Sequence, residues 1–110
     1  MPCLAADAVR LLKKWKTEGV WLFAIARLDG RDEHRFWAKI GNVSEGELWL
    51  AGDSAMLSLR LDDERCEYSE VLQPPPDVRI RSKDFDCCLM IRSPKVSVLL
   101  VAHKPQVQPA

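Results

Sequence analysis

The chain has 110 residues, of which 47% are hydrophobic and 29% are charged, and its sixteen basic residues balance its sixteen acidic ones. A chain of this length folds as one domain and buries a core without metal or disulfide staples. Zero net charge argues against a protein built to bind nucleic acid or an anionic membrane, because such proteins carry a surplus of positive charge.

The sequence shows neither a secretory signal nor a membrane span. Asp7 and Arg10 interrupt the apolar stretch at the N-terminus, and no run of eighteen apolar residues occurs. These features predict a cytoplasmic protein. The four cysteines are then expected to be free thiols, because the cytoplasm is reducing.

Residues 4–16 predict an amphipathic helix, because apolar side chains recur there every three or four positions. The apolar stripe consists of Leu4, Ala8, Leu11, Leu12 and Trp15. Lysines in the last turn favour the negative end of the helix dipole, and Gly19 is the expected stop.

After Gly19 the apolar period changes to two, which predicts a set of about seven short strands. The candidate segments are 20–28, 36–43, 48–51, 55–61, 65–72, 78–81, 85–92 and 96–102. Asp29-Gly30 is the expected turn between the first two strands, and residues 74–77 are an expected stiff connection rich in proline.

The order of these elements predicts the fold class. Without helices between the strands there is no parallel sheet, so the chain is predicted to be mainly β and antiparallel. The expected architecture is a small barrel or strongly bent sheet, with the single N-terminal helix packed on it. Residues 1–104 are predicted to form one domain, and residues 105–110 a disordered tail.

Cys87 and Cys88 stand side by side in the predicted strand 85–92. Successive side chains of a strand point to opposite faces, so Phe85 and Cys87 are predicted to face the core and Cys88 the outer side. Diverging thiols cannot ligate one metal from a regular strand. Cys88 is therefore the predicted reactive thiol of this pair.

The sequence contains no recognised catalytic or metal-binding pattern. Cys3, Cys66, His34 and His103 stand apart from one another and form no pair with the ligand spacing of a zinc site. There is no glycine-rich phosphate loop and no serine nucleophile elbow. The sequence therefore predicts a protein that is not an enzyme and that holds neither metal nor cofactor.

Several predicted strands are apolar on both faces, which raises the question of what covers the second face. The helix covers part of it through Leu11, Leu12 and Trp15. A twofold homodimer would cover the rest, because monomers rarely leave large apolar patches exposed. The predicted dimer surface consists of Trp37, Trp49, Leu99 and Val101. The alternative is a curled monomer in which the helix suffices.

Residues 40–50, IGNVSEGELWL, resemble the core segment of PilZ domains, which are small β-barrels that bind cyclic di-GMP. The family motif is Arg-x-x-x-Arg followed by Asp/Asn-x-Ser-x-x-Gly. Asn42 and Ser44 match its second part, and Glu47 stands at the closing glycine position. The candidates for its first part are Arg27 and Arg31, or Arg10 and Lys14, of which the second pair ends in lysine. The resemblance implies a barrel, and the carboxylate of Glu47 implies that such a barrel has lost its anionic nucleotide.

The sequence therefore predicts a non-catalytic cytoplasmic domain with an interaction or structural role, similar to a degenerate PilZ barrel. The alternative is an effector domain that binds cyclic di-GMP through Arg27, Arg31, Asn42 and Ser44. A third interpretation is a small barrel that binds nucleic acid, since aromatic and basic side chains interleave in residues 34–40.

Overall fold

The computed structural model describes residues 2–28, 32–44, 46–52, 56–61, 65–81, 83–94 and 96–104, which form one helix and eight strands. The helix, α1, is Ala5–Glu18. The strands are β1 Pro2–Cys3, β2 Leu22–Leu28, β3 Asp32–Val43, β4 Glu47–Gly52, β5 Met56–Arg60, β6 Glu67–Val71, β7 Phe85–Arg92 and β8 Val96–His103. They make one antiparallel sheet, so the predicted mainly β class with an N-terminal helix is confirmed.

Helix α1 ends where the sequence predicts its stop. Gly19 adopts a left-handed conformation with φ of 64°, and its N–H donates to the carbonyl of Lys16 at 3.2 Å. Glycine takes this conformation without a Cβ penalty, which makes it the usual residue just beyond a helix. The side chains of Ala8, Val9 and Leu12 are buried, as is that of Trp15.

The sheet bends until its two ends approach each other. Its strand order is β1-β6-β7-β8-β2-β3-β4-β5, so β5 and β6 lie near opposite ends although they are consecutive in the chain. The Tyr68 hydroxyl in β6 donates to the carbonyl of Leu61, just beyond β5, at 2.8 Å. In the described part of the chain β1 and β5 do not pair, so the sheet is strongly bent and not closed into a barrel.

The inner face of the bent sheet and helix α1 enclose the main core. Alternate residues of each strand enter it, among them Leu22, Ala24, Leu50, Leu89 and Leu100, all of which are buried. Leu12 and Trp15 of α1 enter the same core from the helix, which packs against β3 and β6.

The predicted strand 78–81 is wrong. Val78 and Ile80 do pack inward while Arg79 and Arg81 are exposed, so the side chains alternate between buried and exposed as they would in a strand. However, the local backbone makes turns: the Val78 N–H donates to Pro75, and the Phe85 N–H to Arg81. The three prolines at 74–76, just before this segment, have no N–H that a neighbouring strand could accept. In the described residues no strand pairs with residues 78–81.

Other boundaries shift by a few residues, and some predictions lie outside the described residues. The short strand β1 was not predicted, and β3 begins at Asp32 instead of residue 36. The turn at Asp29-Gly30 and the tail 105–110 lie outside the described ranges. No helix among the described residues has the length and apolar character needed to cross a lipid bilayer.

Candidate functional site

The outer face of the sheet carries three cross-strand rows over β7, β8, β2 and β3. The covered row is Cys88–Val101–Phe23–Trp37, the floor row is Met90–Leu99–Ile25–Arg35, and the rim row is Arg92–Ser97–Arg27–Glu33. Residues directly opposite on neighbouring strands lie about 5 Å apart, so each row is a continuous line of side chains.

The covered row lies beneath the chain segment 72–81, called the cover segment below. Val78 and Ile80 of this segment pack on a second, smaller apolar cluster formed by Phe85, Cys88 and Val101. An ion pair between Asp77 and Arg35 attaches the segment to β3. The second apolar face is therefore partly covered by the chain itself, in addition to the inner face that α1 covers.

The cover segment corrects the prediction for Cys88. The two thiols do point to opposite faces, as predicted, because Cys87 joins the main core and Cys88 the smaller cluster. Nevertheless Cys88 is 0% exposed, and its Sγ lies 3.8 Å from the carbonyl oxygen of Gln73, to which the thiol donates. Burial raises the pKa of each thiol from an ordinary 9.0 to about 12. Cys88 is thus not an exposed reactive thiol.

Phe85 also lies on the opposite face from the one predicted. The pairing of β7 with β8 shifts register between Phe85 and Cys88, so one extra residue is accommodated there. Such a bulge reverses the alternation beyond it. Phe85 consequently packs with Cys88 and Val101 instead of with Cys87.

The predicted dimer surface is not one exposed surface. Val101 is fully buried under the cover segment, and Leu99 is half-buried in the floor row. The ring of Trp37 packs between Phe23, at 5.0 Å between centroids, and His103, at 4.9 Å. Of the four predicted residues only Trp49, which is 36% exposed, stays open on the outer face.

The residues suggested by the resemblance to PilZ domains are not brought together. Arg27 is opposite Glu33 near the start of β3, whereas Asn42 lies near the end of the same strand, roughly 30 Å along it. Ser44 follows that end, and Arg31 lies outside the described residues. Arg27 and Asn42 therefore do not contribute to one nucleotide site.

A cleft with a volume of about 310 Å³ lies beside the cover segment on the outer face of the sheet. The floor row forms its base, the rim row forms one side, and Pro75 and Asp77 of the cover segment form the other. Glu33 bridges two arginines, accepting from Arg35 Nε at 3.0 Å and from Arg27 Nε at 3.2 Å. The cleft thus combines an apolar base with charged walls.

The ion pairs determine which charged groups of the cleft are already satisfied. Hydrogen bonds from Arg35 and Arg27 lower the pKa of Glu33, and the hydrogen bond from Arg35 lowers that of Asp77. Within the described ranges Arg92, on the opposite side of the rim row, makes no ion pair. One guanidinium of the cleft is therefore available to a ligand.

Sequence reasoning missed this cleft. Arg35 and Arg92 are isolated cations in the sequence, which is typical of solvated side chains, and Arg27 is a candidate only together with Arg31, for a nucleotide site. Their shared face is visible in the alternation, but their alignment depends on the register of four strands. That register has no signal in a single sequence.

Among the described residues no three histidine, cysteine or acidic side chains are grouped so that they could hold a metal ion. His34 is exposed on β3, and His103 is buried at the end of β8. The two histidines therefore lie in different environments.

His103 is expected to make stability fall in mild acid. Burial lowers its pKa below the ordinary 6.5, against a smaller opposing effect of Asp84, so the unfolded chain takes up a proton that the folded chain resists. The free energy of unfolding should therefore decrease from about pH 7 to about pH 5, as urea titrations can measure. His103→Phe should flatten this dependence and His34→Phe should retain it; equal slopes for His103→Phe and the parent would contradict the assignment.

Comparisons with known proteins leave the family open: no family model, no curated protein sequence and no solved structure matches this chain.

Proposed function

We propose that this chain is a non-catalytic interaction domain whose binding surface is the edge strand β5 together with the adjoining outer face, and that its partner is a second copy of the chain. The observation that carries the proposal is the open edge at β5. In the described part of the chain no strand pairs with β5 on the side away from β4.

The hydrogen-bonding groups at this edge can be assigned. The Leu61 N–H donates to the carbonyl of Gly46 at 3.0 Å, in the same register as the β4–β5 pairs. Alternate residues of an antiparallel strand bond the same neighbouring strand, so the main-chain N–H and carbonyl groups of Leu57 and Leu59 bond β4. The main-chain groups of Met56 and Ser58 therefore point away from the sheet, toward a prospective partner strand.

At Met56 and Ser58 the edge lacks the usual protection against pairing, whereas the Arg60 carbonyl, which also points away from β4, accepts from the Cys66 thiol at 3.6 Å. Exposed edges are commonly blocked by prolines, charges or bulges, yet within Met56–Arg60 only Arg60 is charged. On the outer face beside it lie Met56, which is 67% exposed, and Trp49, which is opposite Ser58. An open ladder flanked by apolar side chains favours the addition of another strand.

A second copy fits this edge because the edge is complementary to itself. If two β5 strands pair antiparallel about a twofold axis at Ser58, the N–H and carbonyl of each Ser58 bond those of the other. Met56 of each copy then lies opposite Arg60 of the other. Twofold dimers are the commonest oligomers of soluble proteins.

Ser58→Pro is expected to abolish the dimer while leaving the monomer folded. Proline removes an N–H that points away from β4, so no bond within the sheet is lost, and edge strands tolerate proline. Light scattering over a dilution series should show a dimer for the parent chain and for Ser58→Ala, and a monomer for Ser58→Pro. Trp49→Glu should also weaken the dimer.

Two results would contradict the proposal. The first is a parent chain that stays monomeric at about 100 μM, a concentration at which a dimer with a dissociation constant of about 10 μM would predominate. The second is a Ser58→Pro variant that remains dimeric with an unchanged circular dichroism spectrum.

A further inference from the structure

We propose that the cleft between the rim row, the floor row and the cover segment binds a small organic monoanion, namely a carboxylic acid with a flat apolar body. This site is separate from the β5 edge, and its existence does not depend on self-association. Its volume of about 310 Å³ is at the lower end of the range for small-molecule sites.

The base of the cleft suits an apolar body. Met90, Leu99 and Ile25 lie side by side in the floor row and are all half-buried, so their remaining exposed surface faces the cleft. Pro75 adds an apolar wall from the cover segment. A ligand lying on this base removes apolar surface of both partners from water, which favours binding.

The rim supplies a place for one carboxylate. Neither the Arg92 guanidinium nor the Ser97 hydroxyl has a hydrogen-bond partner in the described ranges. They are neighbours in the rim row, and the planar guanidinium forms two parallel hydrogen bonds with a carboxylate. Arg27 lies next to Ser97 on the other side, where Glu33 holds it in place.

The charges around the cleft select a monoanion. Three arginines and two carboxylates line it, which leaves one net positive charge. Glu67, exposed and in register with Arg92 on β6, adds a further carboxylate outside the lining. A dianion such as a phosphate monoester would be repelled by these carboxylates, whereas a single carboxylate matches the one unpaired guanidinium.

The test is a titration with naphthoate, a flat apolar body that carries one carboxylate, followed by amide NMR of the labelled protein. We expect saturable shifts confined to β2, β7, β8, the first half of β3 and the cover segment. Arg92→Gln should weaken binding by about tenfold or more, because it removes a charge-assisted hydrogen bond from an exposed position that the fold does not need. Arg10→Gln, an exposed arginine on α1, is the matched control and should bind like the parent.

The neutral analogue naphthalenemethanol separates the carboxylate from the apolar body. It should bind about tenfold or more weakly than naphthoate to the parent chain, and equally weakly to Arg92→Gln. The proposal is overturned if the alcohol binds as well as the acid, if Arg92→Gln keeps the parent affinity, or if shifts are absent or map to α1 or β5. Dimer formation at β5 is read independently by light scattering, so failure of either proposal leaves the other standing.

Discussion

Replacing Trp15 with alanine is expected to lower the free energy of unfolding by about 3–5 kcal/mol, the usual cost of truncating a large buried aromatic side chain. Trp15 is 1% exposed and is the largest fully buried side chain among the described residues. It lies in the last turns of α1, where the helix covers the inner face of the sheet. Its removal leaves a cavity that the bent sheet cannot fill without moving the helix.

Urea unfolding followed by far-ultraviolet circular dichroism measures this loss. Lys13→Ala, an exposed position on the same helix, is the control and should stay within about 0.5 kcal/mol of the parent. The free energy of unfolding of a domain of this size is about 5–15 kcal/mol in total, so the Trp15 variant should unfold at a much lower urea concentration than the parent. A loss below about 1 kcal/mol would mean that α1 does not cover the core.

The two adjacent cysteines are expected to react with a thiol reagent far more slowly than Cys3 and Cys66. Cys3 and Cys66 are half-buried, whereas Cys87 and Cys88 lie inside the main core and beneath the cover segment. Burial raises the pKa of Cys87 and of Cys88 from 9.0 to about 12, which lowers the ionised fraction of each thiol at about pH 8 about a thousandfold, and the thiolate is the reacting form. Burial raises the pKa of Cys3 as well, but Cys3 is far less buried. Time-resolved labelling with mass spectrometry should therefore show two modified residues early and four only after unfolding.

A variant of the cover segment distinguishes the two buried thiols. Val78→Asp places a charge on the apolar cluster that contains Cys88, so it should release the segment and accelerate labelling of Cys88 by about tenfold or more. Cys87 faces the other side of the sheet and should stay slow. Rapid labelling of Cys88 in the parent chain, at the rate of Cys3, would show that the segment does not lie over β7 in solution.

Local patterns in the sequence were sufficient for most of the elements and for most of their faces. The helix, its glycine stop and seven of the strands follow from apolar spacing, because each of these depends on side chains within a few residues of one another. The predicted alternation also placed Cys87 and Cys88 on opposite faces correctly. It failed at Phe85, because a bulge depends on the neighbouring strand and leaves the spacing of the strand's own side chains unchanged.

The outer face was decided only by the tertiary structure. Whether Val101 and Cys88 are exposed depends on where residues 72–81 pack, and a segment rich in proline has no periodic pattern that predicts which surface it will pack against. The arginine cleft likewise needs β7, β8, β2 and β3 in register, which joins residues as distant in the chain as Arg27 and Arg92. The open edge at β5 follows from strand order, another property of the whole chain. Periodicity reports which way a side chain points; contacts between distant segments determine whether water, the chain itself or a partner meets it there.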